Sequence, residues 1–211
     1  MNFIRKPFRY TYSNAALILI CINVLVFIMQ YIFNTYYIYK LFALNPLQVI
    51  YGKMFWQFIT YMFVHGSISH ILFNMLALFL FGTALERYIG SKEFVLYYMI
   101  TGIFAGLISF CIYVLSGTNP FLMGASGALF AVQLAYAAYF PNSYIYFWGI
   151  LPLRAPVMVI VFTAIELFSG IFGAADGISH TTHLFGFLAG VMYFFIRWQR
   201  NPFKMMFGRR Y

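Results

Sequence analysis

Long uninterrupted apolar runs constrain this chain more than any other feature. Runs of about 20 residues match the hydrocarbon thickness of a bilayer, and a chain that repeats them is expected to fold as spanning helices. The first run, Asn14 to Phe33, follows Arg5, Lys6 and Arg9. It is longer than a signal-peptide core and ends in an aromatic stretch, Gln30 to Tyr37, rather than a small-residue cleavage site, so a retained anchor is expected.

Five further spans are expected, making an all-α polytopic membrane protein. An aromatic connector, Asn34 to Val64, holds Pro46, Gly52 and Trp56 and reads as interfacial or partly re-entrant. The second span begins near His65 to His70 and ends at Arg87, and Gly90 to Glu93 reads as a polar turn. Phe94 to Leu115 is the third span and Met123 to Phe140 the fourth. Tyr144 to Ala155 is a mixed connector, Val157 to Phe172 the fifth span, and His180 to Trp198 the sixth. Residues 1–13 form a basic N-terminus, 14–198 one membrane domain, and 199–211 a basic tail. Only 8% of residues are charged, against about 25% in ordinary soluble domains, so a water-facing surface could hardly be assembled. Cys21 and Cys111 lie in separate apolar runs, which makes a disulfide framework improbable.

Six spans place both termini on one side. With that side cytoplasmic, Arg5, Lys6, Arg9, Arg87, Lys92, Arg154, Arg197, Arg200, Lys204, Arg209 and Arg210 lie inside, and Lys40 and Lys53 outside. The +9 net charge is therefore a topology signal, with anionic lipid as an added attraction, and nucleic acid drops out as a partner.

In this topology the even-numbered helices all start at the outer face. His65, His70 and Asn74 open the second, Ser126 the fourth, and His180 and His183 the sixth. Ionisable and polar residues inside a membrane mark function when they do not face lipid. A serine hydroxyl needs a base to become a nucleophile, and an imidazole near ~6.5 can take and return its proton. His70, the Asn74 amide and the Ser126 backbone N–H could receive the developing oxyanion. Gly186 and Gly190 follow His183 at +3 and +7 and would let the sixth helix approach the Gly127 face of the fourth. Read alone, Ser126 among Gly124, Ala125, Gly127 and Ala128 would be a packing face.

Three separated motifs, His65-x4-His70-x3-Asn74, Gly124-Ala125-Ser126-Gly127-Ala128-Leu129-Phe130 and His183-x2-Gly186-x3-Gly190, give the chain its resemblance to the rhomboid family of intramembrane serine proteases. Gly82-x3-Glu86-x3-Gly90 also fits the family pattern. The resemblance implies a Ser126–His183 dyad without a third acid, with His70 and Asn74 lining the oxyanion hole and Gly124 keeping it open. It makes His65 structural. It implies cleavage of membrane proteins in or near a transmembrane helix, entry of substrate past Val157 to Ser179, and no metal or organic cofactor. Trp56-Gln57 departs from the Trp-Arg common in the family, which puts the stability of the connector in doubt.

His180 reads as a polar helix-start residue one turn before His183, and Asp176 as a solvated loop acid. Glu166 stands in the middle of an apolar run with no evident partner, and is expected to hydrogen-bond across the gate region and tune its opening. Rival readings are a silent rhomboid-like protein that binds membrane clients, and a membrane metal site built from His65, His70, His180 and His183. Short termini without a transit-like leader suggest a prokaryotic plasma membrane, with the site on the extracytoplasmic side. Oligomeric state is open.

Overall fold

The computed structural model describes residues 5–147, 150–172 and 180–208. Helix α1 (Ala15–Ile32) is followed by three short helices, α2 (Thr35–Phe42), α3 (Pro46–Ile50) and α4 (Gln57–Thr60). Helix α5 (Ile68–Ala77) runs through a π turn at Leu78–Gly82 into α6 (Thr83–Ile89). Then come α7 (Ser91–Leu115), α8 (Ser126–Tyr139), a hairpin of β1 (Tyr144–Phe147) and β2 (Leu151–Arg154), α9 (Ala155–Phe172), α10 (His180–Tyr193) with a π turn at Phe194–Trp198, and α11 (Pro202–Phe207).

Ala15–Ile32, Ile68–Ile89 and Ser91–Leu115 are long and apolar enough to cross a membrane, and Ala155–Gly170 is a shorter apolar helix. Their outer faces expose Ile18, Leu25, Leu72, Phe73, Ile160 and Phe168, the large apolar surface that a soluble monomer rarely presents. At the centre stands α8. Its small residues Ala128, Ala131, Ala135 and Ala138 are buried, and so are Val132 and Leu134.

The connector before α5 leaves Tyr36, Tyr37, Tyr51, Phe55 and Trp56 exposed and turns its last residues inward. Tyr61 and Met62 are buried and fill the space above Gly106 and Gly102 of α7, where any side chain would collide with them. The Tyr61 hydroxyl donates to the Gly102 carbonyl at 2.7 Å. The GxxxG pair thus receives two connector side chains.

Two sequence expectations change. The polar turn at Gly90 to Glu93 shrinks to Gly90 alone, whose φ of 87° reverses the chain so that Ser91 already begins α7. The mixed connector is a hairpin, so the fold is not purely helical. Pro141 follows the end of α8, and Tyr144, Ile145, Tyr146 and Phe147 are strong strand formers. They pair with β2 in the register Tyr144↔Arg154 to Phe147↔Leu151.

Glu93 sets where the chain ends lie. Its carboxylate accepts from Arg197 Nε at 2.6 Å, Tyr193 Oη at 2.9 Å and Trp198 Nε1 at 2.9 Å. Arg197 also donates to the Lys6 carbonyl at 3.2 Å and covers the Phe8 ring at 5.0 Å. Both ends of the described chain therefore meet at one end of the bundle. Glu86 is likewise buried, and its two oxygens accept the Ala15 and Ala16 N–H groups at 2.6 and 2.9 Å, capping the start of α1 with negative charge.

Candidate active site

Ser126 is the first residue of α8, and His183 lies in the first turn of α10, at the end of the bundle opposite the chain ends. Glycine brings these helices together. A Cβ on Gly186 would overlap the Gly127 carbonyl, and one on Gly190 would lie 3.1 Å from the Ala131 Cβ. At this separation Ser126 Oγ and His183 Nε2 are 2.6 Å apart. The imidazole is stacked on Phe130, one turn along α8, with ring centroids 4.8 Å apart and planes 10° from parallel. Phe130 was only part of a motif in the sequence. Its place four residues after Ser126, on the same helical face, is the signal that could have assigned it.

The loop before α8 is held by the connector. Leu44 and Leu122 exchange backbone hydrogen bonds at 2.9 and 2.8 Å, and the Gly124 N–H donates to the Tyr61 carbonyl at 2.9 Å. Asn45 Nδ2 donates to the carbonyls of Asn119 and Pro120. Gln57, fully buried, accepts from the Asn45 N–H at 3.1 Å and donates to the Lys40 carbonyl at 2.9 Å. The residue that departs from Trp-Arg thus fastens the connector with a neutral amide.

Gly124 has a φ of 115°, and a Cβ there would lie 2.6 Å from His70 Nε2 and 3.7 Å from Asn74 Nδ2. His70 Nδ1 accepts weakly from the Gly66 N–H at 3.5 Å, which leaves Nε2 as the protonated nitrogen facing this gap. Asn74 is buried and its Nδ2 has no hydrogen-bond partner among the described residues. A buried donor left unpaired is costly unless something occupies the space it faces. Two N–H donors thus face the space beside a residue that has no side chain, an arrangement able to accept an oxygen atom.

His65 lies just before α5 and is fully buried. Its backbone is clamped by the Gln30 side chain of α1, at 3.1 Å to the amide and 2.8 Å to the carbonyl. Its ring meets that of His70 edge-on, with centroids 5.0 Å apart. Burial, and secondarily the neighbouring His70, push the His65 imidazole down to about 3, so it stays neutral.

Glu166, partnerless in the sequence, reaches α10. Its Oε2 is 2.7 Å from His180 Nδ1 and 2.9 Å from His183 Nδ1, the latter contact lying off the line of a straight hydrogen bond. The four histidines expected of a metal site do not form one set. His65 and His70 meet edge to face, while His180 and His183 join Glu166, with ligand atoms within 4.8 Å of one another. Asp176 and the rest of 173–179 lie outside the described residues.

A membrane helix bundle with a serine–histidine pair between two tightly packed helices defines the class. Residues 52–200 match the Rhomboid domain, and the chain belongs to the rhomboid family. It is 29% identical to Rhomboid protease GlpG of Haemophilus influenzae over 141 residues, covering 67% of this chain and 69% of that protein. It is 39% identical to Rhomboid protease GluP of Bacillus subtilis over 82 residues, 38% of this chain and 16% of that one. RHOMBOID-like protein 1 of Arabidopsis thaliana is 31% identical over 159 residues, 74% of this chain and 38% of that protein. The chain therefore spans well under half of the last two. The family and the apolar helices make it an integral membrane protein, and two of these relatives, GlpG and GluP, are named rhomboid proteases.

Proposed function

We propose that this chain is a serine-type intramembrane endopeptidase that cuts membrane proteins within or beside a transmembrane segment. The observation that carries the reading is the 2.6 Å contact between Ser126 Oγ and His183 Nε2. His183 takes the Ser126 proton as Oγ attacks the scissile carbonyl. The oxyanion is received by His70 Nε2–H, Asn74 Nδ2–H and the free N–H groups at the start of α8. Collapse breaks the C–N bond, His183 returns the proton to the leaving amine, and water then hydrolyses the acyl-enzyme by the same route. No cofactor enters these steps.

In this reading the chain crosses the bilayer six times with both ends cytoplasmic. Helix α8 has 14 residues, about 21 Å at 1.5 Å per residue, too short for a core of about 30 Å. With its other end at the cytoplasmic side, the Ser126 end in this reading sits below the extracytoplasmic face of a prokaryotic plasma membrane. Substrate enters past α9, which is buried at Ala155, Met158 and Val159 and mostly exposed from Ile160 onward.

The test is to incubate purified protein in liposomes with a serine-reactive fluorophosphonate and with a model transmembrane substrate. Wild type labels and cleaves, and Ser126→Ala and His183→Ala do neither. Cleavage that survives in Ser126→Ala sinks the mechanism, and a folded wild type that never cleaves any membrane client favours the client-binding reading.

A further inference from the structure

From the contacts around α9 we infer that Glu166 is a positioning residue for the reaction: its carboxylate lies against His183 Nδ1 and supports the charge the ring takes up, and His180 holds that carboxylate in place. This rests on the protease reading. For Ser126 Oγ–H to donate to Nε2, that nitrogen must be unprotonated, so the neutral ring carries its proton on Nδ1. The Nδ1–H then needs an acceptor, and Glu166 Oε2 at 2.9 Å is the atom beside it. When Nε2 takes the serine proton the ring becomes a cation next to a carboxylate. Because the approach to Nδ1 is oblique, Glu166 contributes charge more than direction, while direction comes from the Phe130 stack.

The surroundings of Glu166 agree. A carboxylate in an apolar helix is expensive unless paired. Its side chain is 16% exposed and those of His180 and His183 13% and 12%, so the three meet largely away from solvent. Of the other described acids, Glu86 caps α1 and Glu93 binds Arg197, both far along the bundle from Ser126. The contact to His180 is a hydrogen bond at 2.7 Å and that to His183 a close charge contact at 2.9 Å. A tetrahedral zinc at about 2.0–2.1 Å from each ligand would hold those donors about 3.3 Å apart. The geometry therefore favours a clamp over a metal site.

The experiment measures steady-state cleavage and fluorophosphonate labelling for wild type, Glu166→Gln, Glu166→Asp and His180→Ala, with thermal unfolding of each. Glu166→Gln should unfold at the wild-type temperature, keep KM, and lose about 10²-fold in kcat. Glu166→Asp should recover part of kcat, since charge returns one methylene further from Nδ1, and His180→Ala should fall between. If Glu166→Gln fails to fold, Glu166→Asp carries the test. A folded Glu166 variant with wild-type kcat overturns the inference. So does wild-type cleavage that EDTA removes, which would give the three donors to a metal. If wild type neither labels nor cleaves, the protease reading itself fails.

Discussion

Gly124 occupies the space that the proposed chemistry needs. A methyl there would press on His70 Nε2 and ask an L-residue to hold a φ of 115°. Gly124→Ala is expected to lower kcat by about 10²-fold, the scale of losing one oxyanion donor, with KM little changed. Steady-state kinetics on the folded variant checks it. His65 makes a different prediction. Its folded-state value of about 3 lies below the ordinary 6.5, so the folded protein prefers the neutral ring. Its contribution to stability is complete above about 6.5 and is lost as pH falls from there toward 3, roughly 2 kcal/mol by pH 5. Denaturation followed from pH 7.5 to 5 should show this loss, and His65→Phe should flatten it. The nearness of Ser126, His183, His70 and Asn74 was legible in the sequence because each lies within the first two turns of a helix. The partners of Glu166 were not, since periodicity within α9 does not give its rotation against α10.

Helix α10 lies on α8 because Gly186 and Gly190 remove the side chains that would hold them apart. In Gly186→Ala the new methyl meets backbone, the Gly127 carbonyl, which cannot turn aside as a side chain can. About 1–3 kcal/mol of stability should be lost, and in whatever fraction folds the Ser126–His183 contact should lengthen, read as slower fluorophosphonate labelling. The spacing +3 and +7 announced this contact. It could not announce the connector, whose structure depends on distant pairings such as Leu44 with Leu122 and Asn45 with Asn119. Aromatic content there suggested an interfacial or partly re-entrant segment; it did not announce that Tyr61 and Met62 turn inward because Gly102 and Gly106 leave them room. The hairpin was missed for a related reason. Four alternating residues beside Pro141 look like loop until their partner strand is known.

At the scale of the molecule, Glu93 joins α7 to Arg197 and, through Arg197, to the backbone near Lys6. Removing one partner of a buried ion pair leaves the other uncompensated, at a cost of about 3–5 kcal/mol. Arg197→Met should therefore lower the unfolding temperature markedly while leaving the kcat of the folded fraction unchanged, since the pair stands at the end of the bundle away from Ser126. Thermal unfolding and active-site-titrated kinetics separate the two effects. The same feature has a consequence outside the fold. Glu86, Glu93 and Glu166 all spend their charge on interior partners, so the described surface offers cations without anions. Such a surface has one electrical sign, so anionic headgroups are expected to gather around its basic end.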